Sequence, residues 1–176
     1  MAKRGYTRDT IRGGASDWDV SRPFSSYLRM LGSLLAHPVR FFELLPKIPD
    51  LRAPALFLVF TGFPAAVLWF ASEGLYPALV ALLVPLPLSF VLAGLCYLFT
   101  TGGRYGFRVT WRTVAYPCGF YLPLSAVPVV RWLAAAYFGI VLLGVGLATV
   151  REIGALRAGL ASVAATGILL LAVYAV

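Results

Sequence analysis

The chain is poor in charge, and poorest in negative charge. Only 12% of its 176 residues are charged, seven of them acidic against fifteen basic. A soluble domain carries about 25% charged residues, so a free-standing globular surface is excluded by composition. Histidine occurs once, as His37, and cysteine twice, as Cys96 and Cys118, in no CxxC pair and no metal spacing. A structural metal site draws on several such ligands, so no metal is expected. Both thiols read as free and buried in apolar surroundings. No carboxylate falls in the middle of an apolar run, since Glu73 and Glu152 stand at opposite boundaries. Proton-coupled transport and intramembrane metalloproteolysis depend on ionisable groups at that depth. The Gly102-Gly103 pair lacks the rest of a phosphate-binding loop. Ser89, Ser125 and Ser162 have no base beside them, and a hydroxyl in an apolar helix bonds to backbone. The chain therefore reads as non-enzymatic and without a cofactor.

Apolar residues are what the chain has in excess: 60% of it is hydrophobic, against about 45–50% for soluble domains. The excess is uneven. Five of the seven acidic residues precede residue 51, and nine of the fifteen basic ones precede residue 53. A polar, basic N-terminal segment is thus joined to one hydrophobic block. The net charge of +8 invites a nucleic-acid reading. The basic residues flank apolar runs instead of clustering on a face, which is the positive-inside pattern of membrane proteins. No nucleic-acid partner is expected.

Residues 1–23 are polar, contain glycine and show no apolar periodicity, and are expected to form a disordered basic cytoplasmic tail. No apolar core follows their first positive residues, so they do not read as a secretory signal. Residues 24–52 change pattern. Leu28, Leu31 and Leu35, then Phe41, Phe42, Leu44 and Leu45, recur at near-helical spacing around His37-Pro38. Ser25 or Ser26 is a candidate N-cap, and Pro38 should end the helix near Ala36. A bilayer needs about 20 apolar residues, more than this segment offers. It reads as an interfacial amphipathic helix with Arg29, Arg40 and Lys47 toward anionic lipid. The alternative is a cytoplasmic helix packed on the membrane block. Pro46 to Asp50 form a stiff connector.

Residues 53–176 hold five apolar segments, near 54–70, 75–100, 110–130, 132–150 and 155 to the C-terminus. The expected fold class is all-α: a polytopic membrane helical bundle of five transmembrane helices with an N-terminal interfacial amphipathic helix. With the N-terminus in the cytoplasm, fourteen basic residues fall inside and only Arg131 outside. That bias orients the chain in the cell membrane with its C-terminus outside.

The loop before the third segment concentrates the remaining signal. Arg104, Arg108 and Arg112 recur at helical spacing, interleaved with Tyr105, Phe107 and Trp111, as at a membrane interface. Pro117, Pro123 and Pro128 follow, and predict a proline-broken helix; the second segment, with Pro77, Pro85 and Pro87, invites the same reading. Arg104, Arg108 and Arg112, with Arg40, Phe41 and Phe42, are the candidate contacts for anionic headgroups or an acidic partner; topology marking alone is the competing account of the arginines. Gly139, Gly144, Gly146, Gly154, Ala158 and Gly159 are small residues at packing spacing. They suit a compact bundle, or contact with a membrane protein partner or a second copy in a homo-oligomer.

Several stretches resemble a known family. HPVRFFELLPKI followed by LRAPALFLVF, then GGRYGFRVTWRTVAYPCGFYLP, then RWLAAAYFGIVLLGVGLATVREIGALRAGLA, are similar to bacterial members of the Yip (Ypt/Rab-interacting protein) family over about Pro38 to Val176. The Asp-Leu-Tyr-Gly-Pro motif of eukaryotic members has no counterpart here. The resemblance implies five spans, a cytoplasmic N-terminus and no enzymatic activity. Three functions are compatible with these features. They are a membrane scaffold binding lipid or partner proteins at its cytoplasmic face, an accessory subunit of a larger membrane complex, and a small transporter or channel for a neutral or lipid substrate.

Overall fold

The computed structural model of the chain describes residues 18–19, 21–47 and 51–174, with side chains as far as Leu171. Most of the expected tail, part of the connector and the final two residues lie outside the described residues. Among the described residues every regular element is a helix.

Proline sets four of the helix starts. Helix α1 (Pro23–Ala36), α2 (Pro38–Leu44) and α5 (Pro85–Phe99) each open on proline, as does α7 (Pro128–Arg151). At a first helical position the missing N–H is not needed and the fixed φ suits the helix. Helix α1 therefore starts at Pro23 and not from a cap at Ser25 or Ser26. The Ser26 hydroxyl instead lies 3.2 Å from both the Asp19 and Pro23 carbonyls. Asp19 Oδ1 accepts from the Ser21 amide and hydroxyl. Trp18 is buried, with its ring 6.0 Å from that of Phe57 and 5.6 Å from that of Phe60. Trp18, which belongs to the stretch read as tail, thus finds an aromatic seat on the bundle. Pro38 ends α1 at Ala36, as its spacing predicts.

Five helical segments follow where five apolar segments were read. They are α3 (Arg52–Glu73), α4 (Leu75–Leu83) with α5, α6 (Phe107–Ser125), α7 and α8 (Ala155–Tyr174). Two of them, α3 and α7, are long and apolar enough to cross a membrane, and α4 with α5 adds a third if the bent pair is one span. The described apolar part of α8 ends at Leu171, and α6 carries Arg108 and Arg112 among its residues. Five crossings therefore do not follow from length and apolarity alone. The reason is clearest at α6. Its residues from Val109 to Tyr116 are all buried, as are Phe120, Tyr121, Leu122 and Ser125. It packs against α3, α5 and α7. A helix covered by other helices needs no lipid-facing apolar side, so it can carry Thr110, Arg112, Thr113 and Ser125 in the core.

The proline break also falls elsewhere than expected for α6, which runs unbroken through Pro117 and Pro123. The second segment, whose prolines invited the same reading, does break: the chain bends by 50° between α4 and α5. Pro85 and Pro87 lie two residues apart and leave the Ala81 and Leu83 carbonyls without helical donors. In α6 the two prolines are further apart, each frees one carbonyl, and the helix continues through both among packed neighbours.

Contacts at the ends fix an up-and-down order. At one end Trp69 Nε1 donates to Ser125 Oγ at 3.2 Å, and Arg131 Nη2 lies 3.5 Å from Glu73 Oε1. At the other, Arg104 Nη1 lies 2.6 Å from Glu152 Oε1, and Arg151 Nη2 donates to the Thr100 carbonyl at 2.5 Å. Two glycines of α7 make close approaches. A Cβ on Gly139, in the π-helical stretch Ala135–Leu142, would collide with the Thr166 hydroxyl of α8. A Cβ on Gly146 would lie 2.8 Å from the Phe42 ring. Gly154 and Gly159 face open space, with nothing within 4 Å of such an atom.

Candidate functional site

The basic end of the bundle gathers the loop between α5 and α6, the turn between α7 and α8, and helix α2. The loop uses Gly102 at φ +86°, a conformation that glycine adopts without steric cost. Gly103 lies under the Arg151 side chain: a Cβ there would stand 2.7 Å from Arg151 Nε. Arg151 is buried, its guanidinium carbon 4.7 Å from the Tyr97 ring centre. The Arg104 amide donates to the Arg151 carbonyl at 3.1 Å. Arg151 thus ties the two loops together, a role that its count as a topology-marking charge did not reveal. The sequence signal for it is the Gly102-Gly103 pair, which makes room for a large side chain.

Of the six candidate contacts, three are exposed and three are buried. Arg40 and Arg108 are exposed. Arg104 is half-exposed and paired with Glu152. Arg112, Phe41 and Phe42 are almost completely buried, so they do not present themselves to headgroups. The arginines do not form one stripe, because α6 begins only at Phe107 and Arg104 belongs to the preceding loop. Phe41 and Phe42 are drawn inward by aromatic and glycine partners. The Phe41 ring lies 6.3 Å from that of Tyr116, and Phe42 occupies the notch at Gly146. Arg52 and Arg157 are exposed as well and add to the basic surface. Lys47 Nζ donates to the Phe42 and Glu43 carbonyls at 3.0 and 2.7 Å, closing the end of α2. Burial holds its ammonium below the usual lysine range.

Helix α1 has three faces. Met30 and Leu34 are buried on the bundle, and the Tyr27 ring lies tilted 5.1 Å from that of Phe120. Phe24, Leu28 and Leu35 form an exposed apolar stripe, at i, i+4 and i+11. Ser25, Arg29 and Gly32 occupy the exposed remainder. One side of α1 therefore packs on the bundle, while a second apolar side is left uncovered.

The opposite end is nearly neutral. Arg131 Nε donates to the Ser125 carbonyl at 2.7 Å, and its guanidinium carbon lies 4.6 Å from the Trp69 ring centre. With Glu73 beside it, this arginine is committed to protein partners, which accounts for the one basic residue on the sparsely charged side. Among the described residues no three His, Cys, Asp or Glu side chains form a group that would hold a metal ion. Compared with protein-family models, with curated proteins and with solved structures, the chain matches none.

Proposed function

We propose that the chain is a non-enzymatic integral membrane protein of Yip type, crossing the bilayer five times with its basic end in the cytoplasm. It acts as a scaffold that engages anionic lipid headgroups at that end. The observation that carries this reading is the three-faced α1. Its uncovered stripe of Phe24, Leu28 and Leu35 lies beside polar residues that include Arg29. A helix in a headgroup layer needs one apolar and one polar exposed side. A helix packed on a bundle in water has no use for the first. The exposed apolar side chains of α3, α5, α7 and α8, among them Phe63, Val91, Leu133 and Leu160, suit a lipid-covered surface. The covered position of α6 explains how a fifth crossing tolerates polar residues.

The exposed cations Arg40, Arg108 and Arg157 are then the headgroup contacts. A basic residue near an anionic leaflet contributes about 1 kcal/mol. Replacing Arg40 and Arg108 with Gln should therefore weaken anionic-lipid retention by about tenfold or more. Native mass spectrometry of the detergent-purified protein, titrated with phosphatidylglycerol against phosphatidylcholine, measures it. Equal retention of both lipids by the native chain defeats the proposal.

A further inference from the structure

The bend between α4 and α5 opens a cavity of about 60 Å³ against α6, in the half of the bundle away from the basic end. Val80, Val84 and Leu88, which are partly or fully exposed, form its outer wall, and Tyr121 belongs to its inner wall. A smaller cavity of about 10 Å³ continues toward Gly139 and Thr166, and shares Tyr121, Cys118, Leu92 and Leu169 with the first.

The polar groups of the larger cavity are few, and all but one are satisfied. Ser125 Oγ accepts from Trp69 Nε1 and donates to the Leu122 carbonyl at 2.6 Å. Ser89 Oγ accepts from Trp111 Nε1 at 2.9 Å and donates to the Leu86 carbonyl at 2.7 Å. The Tyr121 hydroxyl is buried and has no hydrogen-bond partner, although the residue is only 1% exposed. A buried hydroxyl without a partner is unfavourable and needs an explanation.

We infer that this cleft seats the ester end and first few carbons of one acyl chain of an ester lipid, entering sideways between α4 and α5, with the ester carbonyl accepting a hydrogen bond from the Tyr121 hydroxyl. Three observations converge on that occupant. The walls are apolar, and the opening faces the surface where the bundle exposes its lipid-like side chains. The only unsatisfied oxygen or nitrogen in the wall is a hydroxyl, which has a hydrogen to donate. The depth also fits. Tyr121 stands four residues before the end of α6 at Ser125, about 6 Å at 1.5 Å per residue. A crossing of about 28 Å in a hydrocarbon core of about 30 Å leaves the end of α6 at the hydrocarbon boundary, so Tyr121 lies about one helical turn below the ester groups, within reach of an ester carbonyl drawn into the cleft. The inference assumes that the bundle lies in a bilayer, but it does not depend on the basic end.

The probe is a phosphatidylcholine with a diazirine in one acyl chain, mixed into nanodiscs holding the full chain and mapped by peptide mass after irradiation. Labelling should concentrate on the peptides of α4 to α6 that line the cleft. Tyr121→Phe should lower it about three- to tenfold, the effect of one lost hydrogen bond, while the melting temperature stays the same or rises. Leu88→Trp, which fills the outer wall, should lower it further. An ether-linked analogue without the carbonyl should label weakly in the native chain and be indifferent to Tyr121→Phe. Arg40→Gln with Arg108→Gln should leave labelling unchanged, which separates this site from headgroup binding at the basic end. Labelling spread evenly over the exposed helices, or equal labelling by ester and ether lipids, overturns the inference.

Discussion

Gly146→Ala should loosen the attachment of α2 to the bundle. The added Cβ would lie 2.8 Å from two carbons of the Phe42 ring and 2.9 Å from Thr113 Cγ2. Ordinary carbon contacts are about 3.5–4.0 Å, so something must move by roughly 0.7–1 Å. Neither neighbour is a mobile surface group: Phe42 and Thr113 are both fully buried, on α2 and α6. Thr113 is also tied by its hydroxyl to the Val109 carbonyl at 3.0 Å. Phe42 is the side that yields, because α2 is short. Overpacking of this kind costs about 1–3 kcal/mol. Heating the detergent-solubilised protein and following the monodisperse fraction by size-exclusion chromatography should show a lower melting temperature by several degrees. Trypsin should also reach Arg40 and Lys47 sooner. Gly94→Ala and Gly159→Ala, where an added Cβ meets nothing within 4 Å, should cause no such loss. Phe42→Leu in the Gly146→Ala background should recover part of it, since contacting residues do not add independently. A Gly146→Ala protein as stable as Gly94→Ala would refute the packing of Phe42 on α7.

Two other substitutions separate buried from exposed charge. Arg151→Lys should cost about 1.5–3 kcal/mol, because an ammonium does not reproduce both the bond to the Thr100 carbonyl and the stacking on Tyr97; thermal unfolding in detergent measures it, and a change below about 0.5 kcal/mol would count against the clamp. Glu152→Gln removes an ion pair whose partners are 47% and 52% exposed, and should change stability by less than about 1 kcal/mol. A larger loss in the same assay would show that Arg104 and Glu152 hold the loops together themselves.

The helical character and the limits of the helices were largely legible in the sequence. Proline at Pro38 and glycine at Gly74 mark boundaries through local backbone chemistry, whereas Pro128, read as lying inside the third segment, instead starts α7. Apolar segments likewise predicted where helices lie. What was not legible depended on which helix ends up covered. The spacing of Arg104, Arg108 and Arg112 looks like one solvated stripe, yet the helix begins after the first and swallows the third. Phe41 and Phe42 look like membrane anchors until Gly146 and Tyr116 are brought to them from distant parts of the chain. Pro117 and Pro123 looked like a break and made none, whereas Pro85 and Pro87, read in the same way, did make one. Tyr121 gave no signal at all, since a tyrosine in an apolar run normally finds a partner. Of the candidate contact surface, Arg40, Arg104 and Arg108 keep exposed positions, while Arg112 and the two phenylalanines belong to the core.

The central claim is the five-fold crossing that puts the basic end in the cytoplasm, and labelling of single cysteines tests it most directly. In a Cys96→Ala, Cys118→Ala background, Ser72→Cys and Val127→Cys report the Glu73–Arg131 end, while Thr101→Cys and Gly154→Cys report the Arg104–Glu152 end. With a membrane-impermeant maleimide on intact cells, the account predicts reaction at Ser72→Cys and Val127→Cys, and at the other two only after lysis. Reaction of Ser72→Cys and Thr101→Cys from the same side of a sealed membrane would contradict it.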